Sequence, residues 1–312
     1  MLVDQAETPV HSISVEVSNK FPEANFEAVV ADITNKKRLH QLFDRYNFDI
    51  VFHAAAYKHV PLMEKDPEEA IMVNIGGTKN LADLSVAFEV DKFVMVSTDK
   101  AVNPSNVMGA SKRLAEMYVQ SMFFKHQEQN NTVTKFITTR FGNVLGSNGS
   151  VVPLFKKQIE AGGPVTITHP DIIRYFMTIP EACNLVLEAG AMGNGGEIYL
   201  FDMGAPVKIM DLAKRMIKMY GYIPNKDIEI KVTGLRPGEK LYEELLSDKA
   251  VTMPTHNEKI MIGVERSLNY AEISAAVTTL LKSTLRDEVS QHELIKQIKM
   301  LVPEYKLSLI HI

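Results

Sequence analysis

An acidic residue and a basic residue stand side by side at the end of a short apolar run. Residues 93–96 are apolar and lead into Ser97-Thr98-Asp99-Lys100, which predicts a buried strand ending in polar side chains. Neighbouring side chains at a strand end project differently, so Asp99 and Lys100 can contact two sides of one small substrate. A carboxylic acid and an amine placed in this way suit an elimination. The alternative is a solvated turn.

The segment that follows predicts a helix that would position two further side chains. After Pro104, a helical pattern starts at about Ser105 and carries Met108 and Lys112, which are four residues apart and share one face. A strand, a polar loop and a helix are the elements with which an open α/β sheet presents functional groups at its carboxyl edge. We therefore expect a site to be centred on residues 93–112.

These residues resemble the active-site segment of a known family. Ser-Thr-Asp-Lys-Ala at residues 97–101, followed by this helix, is similar to the corresponding segment of extended short-chain dehydrogenases/reductases that act on nucleotide sugars. More narrowly, it resembles the bacterial UDP-N-acetylglucosamine 4,6-dehydratases of polysaccharide and glycan biosynthesis. The resemblance covers the chain from Asp4 to about residue 246, and it includes Arg-Pro-Gly-Glu-Lys at residues 236–240.

One position departs from the pattern of most relatives. Where they carry Tyr-x-x-x-Lys, this chain has methionine at Met108 and lysine at Lys112. This departure resembles the large, membrane-associated, configuration-retaining branch, in which methionine takes the tyrosine position. A thioether cannot give or take a proton. The role of the tyrosine on the carbon 4 hydroxyl would then pass to Asp99, to Thr98 or to an ordered water, and these alternatives stay open.

The order of the predicted elements, with the resemblance, indicates an α/β fold with a doubly wound parallel, Rossmann-like sheet. Residues 1–146 are expected to form a dinucleotide-binding domain, to which segments near 178–201 return. Residues 147–312 are expected to form mainly a smaller mixed α/β substrate-binding lobe and carboxyl-terminal helices. The last residues, 308–312, fit no predicted element.

The amino-terminal part lacks a glycine-rich phosphate loop. No glycine occurs before Gly76, although a complete dinucleotide-binding domain begins with a strand and a loop whose glycines let the backbone approach the pyrophosphate. Compared with the family, the chain is expected to be truncated and to lack the first strand, this loop and the first helix. Asp4 would then meet the adenosine ribose. An acid there would repel a 2′-phosphate, which favours NAD, although NADP stays open.

The resemblance assigns further residues to the cofactor. Asp32 and Ile33 would contact the adenine, although Asp32 could equally cap the helix predicted over residues 35–46. Asn74 would contact either the cofactor or polar partners in the core. Lys112 would hold the nicotinamide ribose. The segment that passes the ribose and nicotinamide would comprise Ala54, Ala55, Ala56 and Lys58.

Substrate-binding residues are expected near the lobe boundary at Ser147 and in a second motif, Arg-Pro-Gly-Glu-Lys at residues 236–240. Asn143, which follows a predicted strand, and Arg174, which lies between aromatic and aliphatic residues, would bind the phosphates of a UDP-sugar. An exposed loop arginine is the alternative for Arg174. Arg236 would pair with the pyrophosphate, and Glu239 would accept hydrogen bonds from the uridine ribose. Without the resemblance, this motif predicts only a turn.

Composition restricts the other partners. The 312 residues are 46% hydrophobic with a net charge of −4 and show no basic stripe, so no nucleic-acid partner is expected. The one cysteine, Cys183, excludes an internal disulfide and is expected to be packed. The nine histidines show no ligand spacing, so no metal site is predicted. Methionines 210, 216 and 219 are expected to fill gaps in the core.

The same patterns bear on location and assembly. No apolar run is long enough to span a bilayer, so this segment is expected to be cytoplasmic and to make no membrane contact. The resemblance implies amino-terminal membrane helices in the full-length protein, which would place this domain on the cytoplasmic side of the inner membrane. A homo-oligomer is also expected.

These expectations combine into one reaction. The chain would convert UDP-N-acetylglucosamine into a UDP-4-keto-6-deoxy-N-acetylhexosamine through transient hydride transfer to the cofactor. Lys100 would remove the carbon 5 proton while Asp99 protonates the departing carbon 6 hydroxyl. For this, the pKa of Lys100 must be lowered, and burial and Lys112 are expected to lower it. The alternatives are a UDP-N-acetylhexosamine 4-epimerase, which needs no acid for a leaving group, and an inactive UDP-sugar-binding fragment.

Overall fold

The computed structural model describes residues 1–129, 134–244, 251–264, 268–286 and 289–307. Its strands are β1 Leu2–Asp4, β2 Ala28–Val30, β3 Ile50–His53, β4 Lys92–Thr98, β5 Lys135–Phe141, β6 Asn143–Val144, β7 Val165–Ile167, β8 Ile173–Arg174, β9 Phe176–Met177, β10 Ile198–Phe201, β11 Val207–Lys208, β12 Ile230–Val232, β13 Val251–Pro254 and β14 Ile260–Val264. Residues 308–312, for which no element is predicted, lie outside the described residues.

Helices alternate with these strands. They are α1 Glu7–Lys20, α2 Lys36–Arg45, α3 Val60–Met63, α4 Pro67–Ala70, α5 Thr78–Ala87, α6 Val107–Glu128, α7 Val151–Glu160, α8 Ile179–Met192, α9 Ile209–Met219, α10 Tyr270–Thr284 and α11 Gln291–Leu301. A π-helical segment, Ile71–Gly77, joins α4 to α5, and a 3₁₀ turn, Asp99–Ala101, follows β4. In the described ranges, no helix has the length and apolar character needed to cross a membrane.

Six strands form the central sheet, in the order β13-β14-β10-β5-β4-β3. The strands β3, β4, β5 and β10 are parallel to their neighbours among these four, whereas β14 and β13 are added in antiparallel pairs. Phe93, Val94 and Met95 of β4 are fully buried, as expected for a parallel strand covered on both faces. The predicted α/β fold with a parallel sheet is therefore confirmed.

Strands β1 and β2 form a separate parallel pair. Neither of them pairs with β3 in the described part of the chain. Val3 and Val30 are exposed, as are Ile50 and Phe52 of β3. The part of the fold around β1 and β2 therefore contributes only a small apolar cluster, Val29, Ala31 and Leu42.

Three apolar clusters position the elements around the sheet. On one face, α6 packs with α5, α10, α11 and the π-helical segment. On the other face, α8 packs against β4 and β5, for example through Leu185 and Ala189. A separate cluster that includes Phe155 and Ile217 joins α7, α9 and β7. The carboxyl ends of β3, β4 and β5 are thus held between the helical layers and this smaller lobe.

The sequence Asp66-Pro67-Glu68-Glu69 predicts the start of a helix that runs to about Ala87, and the structure interrupts this helix. Pro67 opens α4 as expected, but the Asp66 side chain makes no capping hydrogen bond. The seven residues Ile71–Gly77 are π-helical, a geometry that is rare and frequent near functional sites. A π-helical turn keeps the apolar pattern of a helix, so the sequence did not reveal it.

Two side chains that were predicted to be packed are exposed. Cys183 lies on the solvent side of α8 because Leu185 and Ala189 take the inward face. Met219, the last residue of α9, is 84% exposed. Met219 lies two residues after Ile217 and six after Ala213, which are buried, so its side chain points to the opposite side of the helix.

Candidate active site

A cleft of about 510 Å³ lies where β3, β4 and β5 end. Residues directly after β3, at the end of β4 and directly after β5 form one wall, and lobe residues form the other. The predicted residues that line it are Ala54, Ala56, Lys58, Thr98, Lys100, Met108, Lys112, Asn143, Arg174, Arg236 and Glu239. The predicted residues that do not line it are Asp4, Asp32, Ile33, Ala55, Asn74 and Asp99.

Asp99 and Lys100 form an ion pair beside this cleft. Lys100 Nζ donates to Asp99 Oδ1 over 2.9 Å, and Thr98 Oγ1 donates to the same oxygen over 2.8 Å. Asp99 is only 1% exposed, so its carboxylate lies behind Lys100 and Thr98 and does not form part of the cleft wall. A ligand in the cleft would contact Lys100 and Thr98 directly and would reach Asp99 through them.

The second carboxylate oxygen of Asp99 has an unusual environment. This Oδ2 atom is buried and accepts no hydrogen bond from the described residues. Gly142, which lines the cleft, lies next to it, and a β-carbon there would be 3.2 Å from Oδ2. A buried carboxylate oxygen without a donor costs free energy.

The charge state of Lys100 is opposite to the sequence-based expectation. Burial lowers the pKa of Lys100, but the carboxylates of Asp99 and Glu243 outweigh burial, so its pKa lies above the usual value. Lys112 was expected to help lower this pKa, but its Nζ donates to the carbonyl oxygen of Val96 over 2.7 Å. Lys100 is therefore an ammonium group in the unliganded cleft, and the prediction of a lowered pKa is wrong.

Met108 and Lys112 reach the cleft from one face of α6, as their spacing predicts. Burial lowers the pKa of Lys112 to about 8, against a smaller opposite effect of Glu116. Glu116 itself is buried and accepts two hydrogen bonds from Arg140 at 2.9 and 2.5 Å. Of Lys100 and Lys112, Lys112 is thus the one with a lowered pKa.

Asn74 holds the loop after β3 and does not face the cleft. Its Oδ1 accepts from Tyr57 N over 2.8 Å, and its Nδ2 donates to Tyr57 O over 3.1 Å and to Ser111 Oγ over 2.9 Å. These bonds satisfy the buried amide. Of the two alternatives for Asn74, the structure therefore favours the polar partners in the core over a cofactor contact.

Arg174 has different partners from the phosphates that were expected. Its Nη1 donates to the carbonyl oxygens of Ile173 and Leu241 over 2.8 and 3.2 Å, and its Nη2 donates to that of Lys240 over 2.8 Å. Glu239 Oε1 also lies 3.4 Å from Nη2. Both terminal nitrogens of Arg174 already donate hydrogen bonds, and these bonds hold residues 239–241 against β8. A diphosphate could bind Arg174 only by displacing them.

The Arg-Pro-Gly-Glu-Lys turn is attached to the start of α6. Ser105 Oγ and Asn106 Nδ2 donate to the Gly238 carbonyl oxygen over 2.8 and 3.2 Å. Gly238 has a φ of 72°, and a β-carbon there would lie 2.7 Å from Asn106 Cβ, so glycine is required at this position. The turn therefore forms the lobe side of the cleft with little freedom.

Three predicted substrate residues differ in how open they are to a ligand. Glu239 already accepts hydrogen bonds from Thr168 Oγ1 and Arg236 N, each over 3.1 Å. Asn143 Oδ1 accepts a long bond of 3.5 Å from Lys100 Nζ. The Arg236 side chain is exposed, lines the cleft and makes no hydrogen bond within the described residues. Arg236 is therefore the cation most open to a diphosphate.

Glu243 is a cleft residue that the sequence reasoning missed. It is 8% exposed, and its Oε1 lies 3.7 Å from Lys100 Nζ. The only signal was a pair of acids, Glu243 and Glu244, soon after the second motif. Nothing in that pattern indicates which of the two is buried.

The cleft fits the nicotinamide end of a dinucleotide. Ala54 and Ala56 present small side chains to the cleft, and the amine of Lys112 stands at the same wall. Lys58 also lines the cleft, and its Nζ donates to the carbonyl oxygen of Asn148 over 2.9 Å. A flat ring and its ribose can therefore lie against these residues.

The residues predicted for the adenosine end are placed elsewhere. Asp4 and Asp32 each accept a hydrogen bond from the backbone nitrogen two residues on, over 2.8 and 2.7 Å. Asn35, and not Asp32, caps α2. Ile33 packs against Gly77, where a β-carbon would lie 2.3 Å from the isoleucine. The described residues thus do not extend the cleft to the predicted adenosine site.

The chain is similar in sequence to proteins of polysaccharide biosynthesis and to a nucleotide-sugar epimerase. A family model described as "Polysaccharide biosynthesis protein" matches residues 1–265. The capsular polysaccharide biosynthesis protein CapD of Staphylococcus aureus is 50% identical over 290 residues, which are 93% of this chain and 47% of CapD. A UDP-glucose 4-epimerase of Rickettsia canadensis is 38% identical over 267 residues, which are 84% of this chain and 74% of that protein. The chain spans about half the length of CapD.

A solved structure also aligns over most of the chain. The X-ray structure of Pen from Bacillus thuringiensis has 34% sequence identity and a TM-score of 0.74, and the alignment covers 83% of this chain and 77% of Pen.

Proposed function

The chain belongs to the polysaccharide biosynthesis protein family, which has the extended short-chain dehydrogenase/reductase fold, and from this premise we propose that it is a nucleotide-sugar dehydratase. The proposed reaction converts UDP-N-acetylglucosamine into a UDP-4-keto-6-deoxy-N-acetylhexosamine, with retention at carbon 5. Because the chain spans 47% of CapD, this activity is proposed for the whole protein of which such a domain is part.

The ion pair of Asp99 and Lys100 is the observation that carries this proposal. Elimination of water from a hexose needs a base at carbon 5 and an acid at the carbon 6 hydroxyl. The 2.9 Å hydrogen bond between Lys100 Nζ and Asp99 Oδ1, beside the cleft, supports these two roles for the two groups. Transfer of one proton along that bond converts the ammonium and the carboxylate into a neutral amine and a carboxylic acid. This single step produces both groups that the elimination requires.

The two groups then act on different atoms of the sugar. The neutral amine of Lys100 takes the proton from carbon 5, which a ketone at carbon 4 makes acidic. Asp99 lies behind Thr98, so its proton reaches the carbon 6 oxygen through the Thr98 hydroxyl, whose oxygen is 2.8 Å from Asp99 Oδ1. Water leaves, and the ammonium and carboxylate are restored. Met108 cannot take part in these transfers because a thioether carries no proton.

A nicotinamide dinucleotide, proposed here as NAD, supplies the hydride acceptor and donor when it is bound. Lys112, Ala54 and Ala56 would hold its nicotinamide end. Arg236 would bind the diphosphate of the sugar nucleotide, because its side chain is exposed in the cleft. Asn143 would assist Arg236 from the sheet side.

A 4-epimerase is the second candidate, and the 38% identity to a Rickettsia UDP-glucose 4-epimerase favours it. An epimerase needs hydride transfer at carbon 4 but no acid for a leaving group at carbon 6. A buried carboxylate that shares a proton with a lysine has no task in that reaction. The Asp99 and Lys100 pair therefore favours the dehydratase.

Product analysis distinguishes the two candidates. The protein is incubated with NAD and UDP-N-acetylglucosamine, and the sugar nucleotides are separated and identified by mass spectrometry and proton NMR. Loss of one water with a new methyl doublet is expected for the 4-keto-6-deoxy product. Formation of UDP-N-acetylgalactosamine alone, with the mass unchanged, would reject the dehydratase and support the epimerase.

A further inference from the structure

Glu243 is a buried carboxylate that the proposed proton transfers do not use. It lines the cleft and is 8% exposed. Its Oε1 lies 3.7 Å from Lys100 Nζ and 3.8 Å from Arg174 Nη2. Glu243 therefore faces Lys100 from the lobe, while Asp99 contacts the same ammonium from the sheet.

Charged groups surround Lys100 on several elements. Its own turn supplies Asp99, the segment after the second motif supplies Glu243, and β8 supplies Arg174. Lys112 on α6 donates to a backbone carbonyl and is not among these partners. Arg174 Nη2 also lies 3.4 Å from Glu239 Oε1, so its guanidinium is shared between two carboxylates of the lobe. The Lys100 ammonium faces Asp99 and Glu243, and without the charge of Glu243 it would keep only Asp99.

We propose that Glu243 is a positioning residue of this site, whose carboxylate holds the Lys100 ammonium opposite Asp99 and controls when Lys100 can accept a proton. The inference deepens the proposed function and rests on it. It assigns Glu243 no contact with the reacting atoms, because Glu243 acts through Lys100.

The role has a chemical consequence for the transfer between Lys100 and Asp99. A charged Glu243 stabilises the ammonium form and therefore opposes the transfer, whereas a neutral Glu243 favours it. Burial raises the pKa of Glu243, and this effect together with Asp99 outweighs the lowering by Lys100, Arg174 and Lys240. Glu243 is thus neutralised at a higher pH than an exposed glutamate.

The test compares the titration of Lys100 in the unmodified chain and in Glu243→Gln. Acetic anhydride reacts only with the neutral amine. The extent of acetylation of Lys100 at a series of pH values, read by mass spectrometry of its peptide, therefore gives the midpoint of its titration. Removing an opposite charge at this distance is expected to move the midpoint to lower pH by about 1 to 3 units. An unchanged midpoint would overturn the proposal.

Two further variants serve as controls. Glu244→Gln removes the neighbouring carboxylate, which bonds to Asn103 Nδ2 at 2.9 Å and Lys240 Nζ at 3.5 Å, and it should leave the midpoint unchanged. An equal shift in Glu244→Gln would contradict the proposal, because any nearby charge would then have the same effect. Glu243→Asp keeps the charge but withdraws it from Lys100. It should give a smaller shift in the same direction, which still tests the proposal if Glu243→Gln does not fold.

Acetylation needs no turnover, so this test is independent of the proposed function. A shifted midpoint without 4-keto-6-deoxy product would support the role of Glu243 and reject the dehydratase. Product formation with an unshifted midpoint would support the dehydratase and reject the role of Glu243. If both hold, the basic limb of kcat/KM against pH should also move to lower pH in Glu243→Gln, because Lys100 must hold its proton until it transfers that proton to Asp99.

Discussion

A β-carbon at Gly109 would lie 2.1 Å from the carbonyl oxygen of Lys100, closer than any side chain allows. Gly109 belongs to the first turn of α6, where its backbone nitrogen donates to the capping side chain of Asn106 over 2.8 Å. The helix packs directly on the turn that carries the ion pair. The lack of a side chain at Gly109 therefore sets the position of Lys100.

The variant Gly109→Ala should lower turnover on the order of 100-fold, because a displacement of about 1 Å in a catalytic group costs that much. The assay is product formation from UDP-N-acetylglucosamine, with thermal unfolding measured in parallel. Gly190→Ala is the matched control, since the nearest atoms to a β-carbon in α8 would be side-chain atoms, those of Val94 at 3.2 Å and Phe52 at 3.4 Å. Equal turnover in both variants would contradict a requirement for glycine beside Lys100.

Lys100→Met and Asp99→Asn should each reduce dehydration by about 100-fold or more, because each removes one of the two groups that transfer protons. Initial rates of product formation measure the loss. Lys157→Met, in the exposed part of α7, is the control for loss of a lysine and should retain full activity. If either of the first two variants turns over at a near-normal rate, its residue has no part in the proton transfers.

Replacement of the two cleft arginines should have different effects on UDP affinity and on thermal stability. Arg236→Ala is expected to weaken UDP affinity by about 10-fold or more, as expected for a lost charged hydrogen bond. Its melting temperature should stay unchanged because the side chain is exposed. Arg174→Ala should lower the melting temperature, because three hydrogen bonds to backbone carbonyls are lost. Titration calorimetry with UDP and thermal unfolding measure the two effects.

The opposite pattern would restore the phosphate-binding role that the sequence predicts for Arg174. In that case, Arg174→Ala would lose UDP affinity without loss of stability. Arg236→Ala would then bind UDP as tightly as the unmodified chain.

Lys112 should give the fold a pH dependence of defined sign. Burial lowers its pKa to about 8 in the folded chain, whereas in the unfolded chain the pKa returns to about 10.4. Between these values the unfolded chain binds more protons, so the free energy of unfolding rises with pH in that window and, for this residue, is constant below it.

Lys112→Met should remove this rise. Denaturant unfolding at about pH 7 and about pH 10 is expected to show a change of about 2 kcal/mol, in favour of the unmodified chain, in the difference between the two proteins. Only the difference is informative, because other lysines and tyrosines titrate in both. A difference that does not vary with pH would show that the pKa of Lys112 is not lowered.

Local patterns predicted much of the fold. The resemblance predicts a strand at Lys135–Phe141, and the residue pattern predicts a helix at Val151–Glu160; β5 and α7 have these bounds. Each is a run of consistent period with polar or glycine-containing segments at its ends. The two motifs, around Asp99 and around Arg236, are distant in the sequence, and in the structure residues of both line the same cleft.

Long-range partners could not be predicted in the same way. The bonds of Arg174 to Leu241 and Lys240 come from a segment that folds back from far along the chain. Hydrophobic periodicity reports which face of an element is buried, but not which distant carbonyl or carboxylate faces a given side chain. The pKa of Lys100 was predicted in the wrong direction because the expectation left out the effect of the adjacent Asp99 carboxylate, and because the second carboxylate that raises this pKa, Glu243, was unknown.

The bond between Ser105 and Gly238 joins residues that are 133 positions apart. Closing so long a loop costs chain entropy and slows folding, so this side of the cleft is expected to assemble after the sheet. A nucleotide that bridges both walls binds only the finished molecule and shifts the folding equilibrium towards it by mass action. The sugar nucleotide would then stabilise the folded chain as well as serve as the reactant.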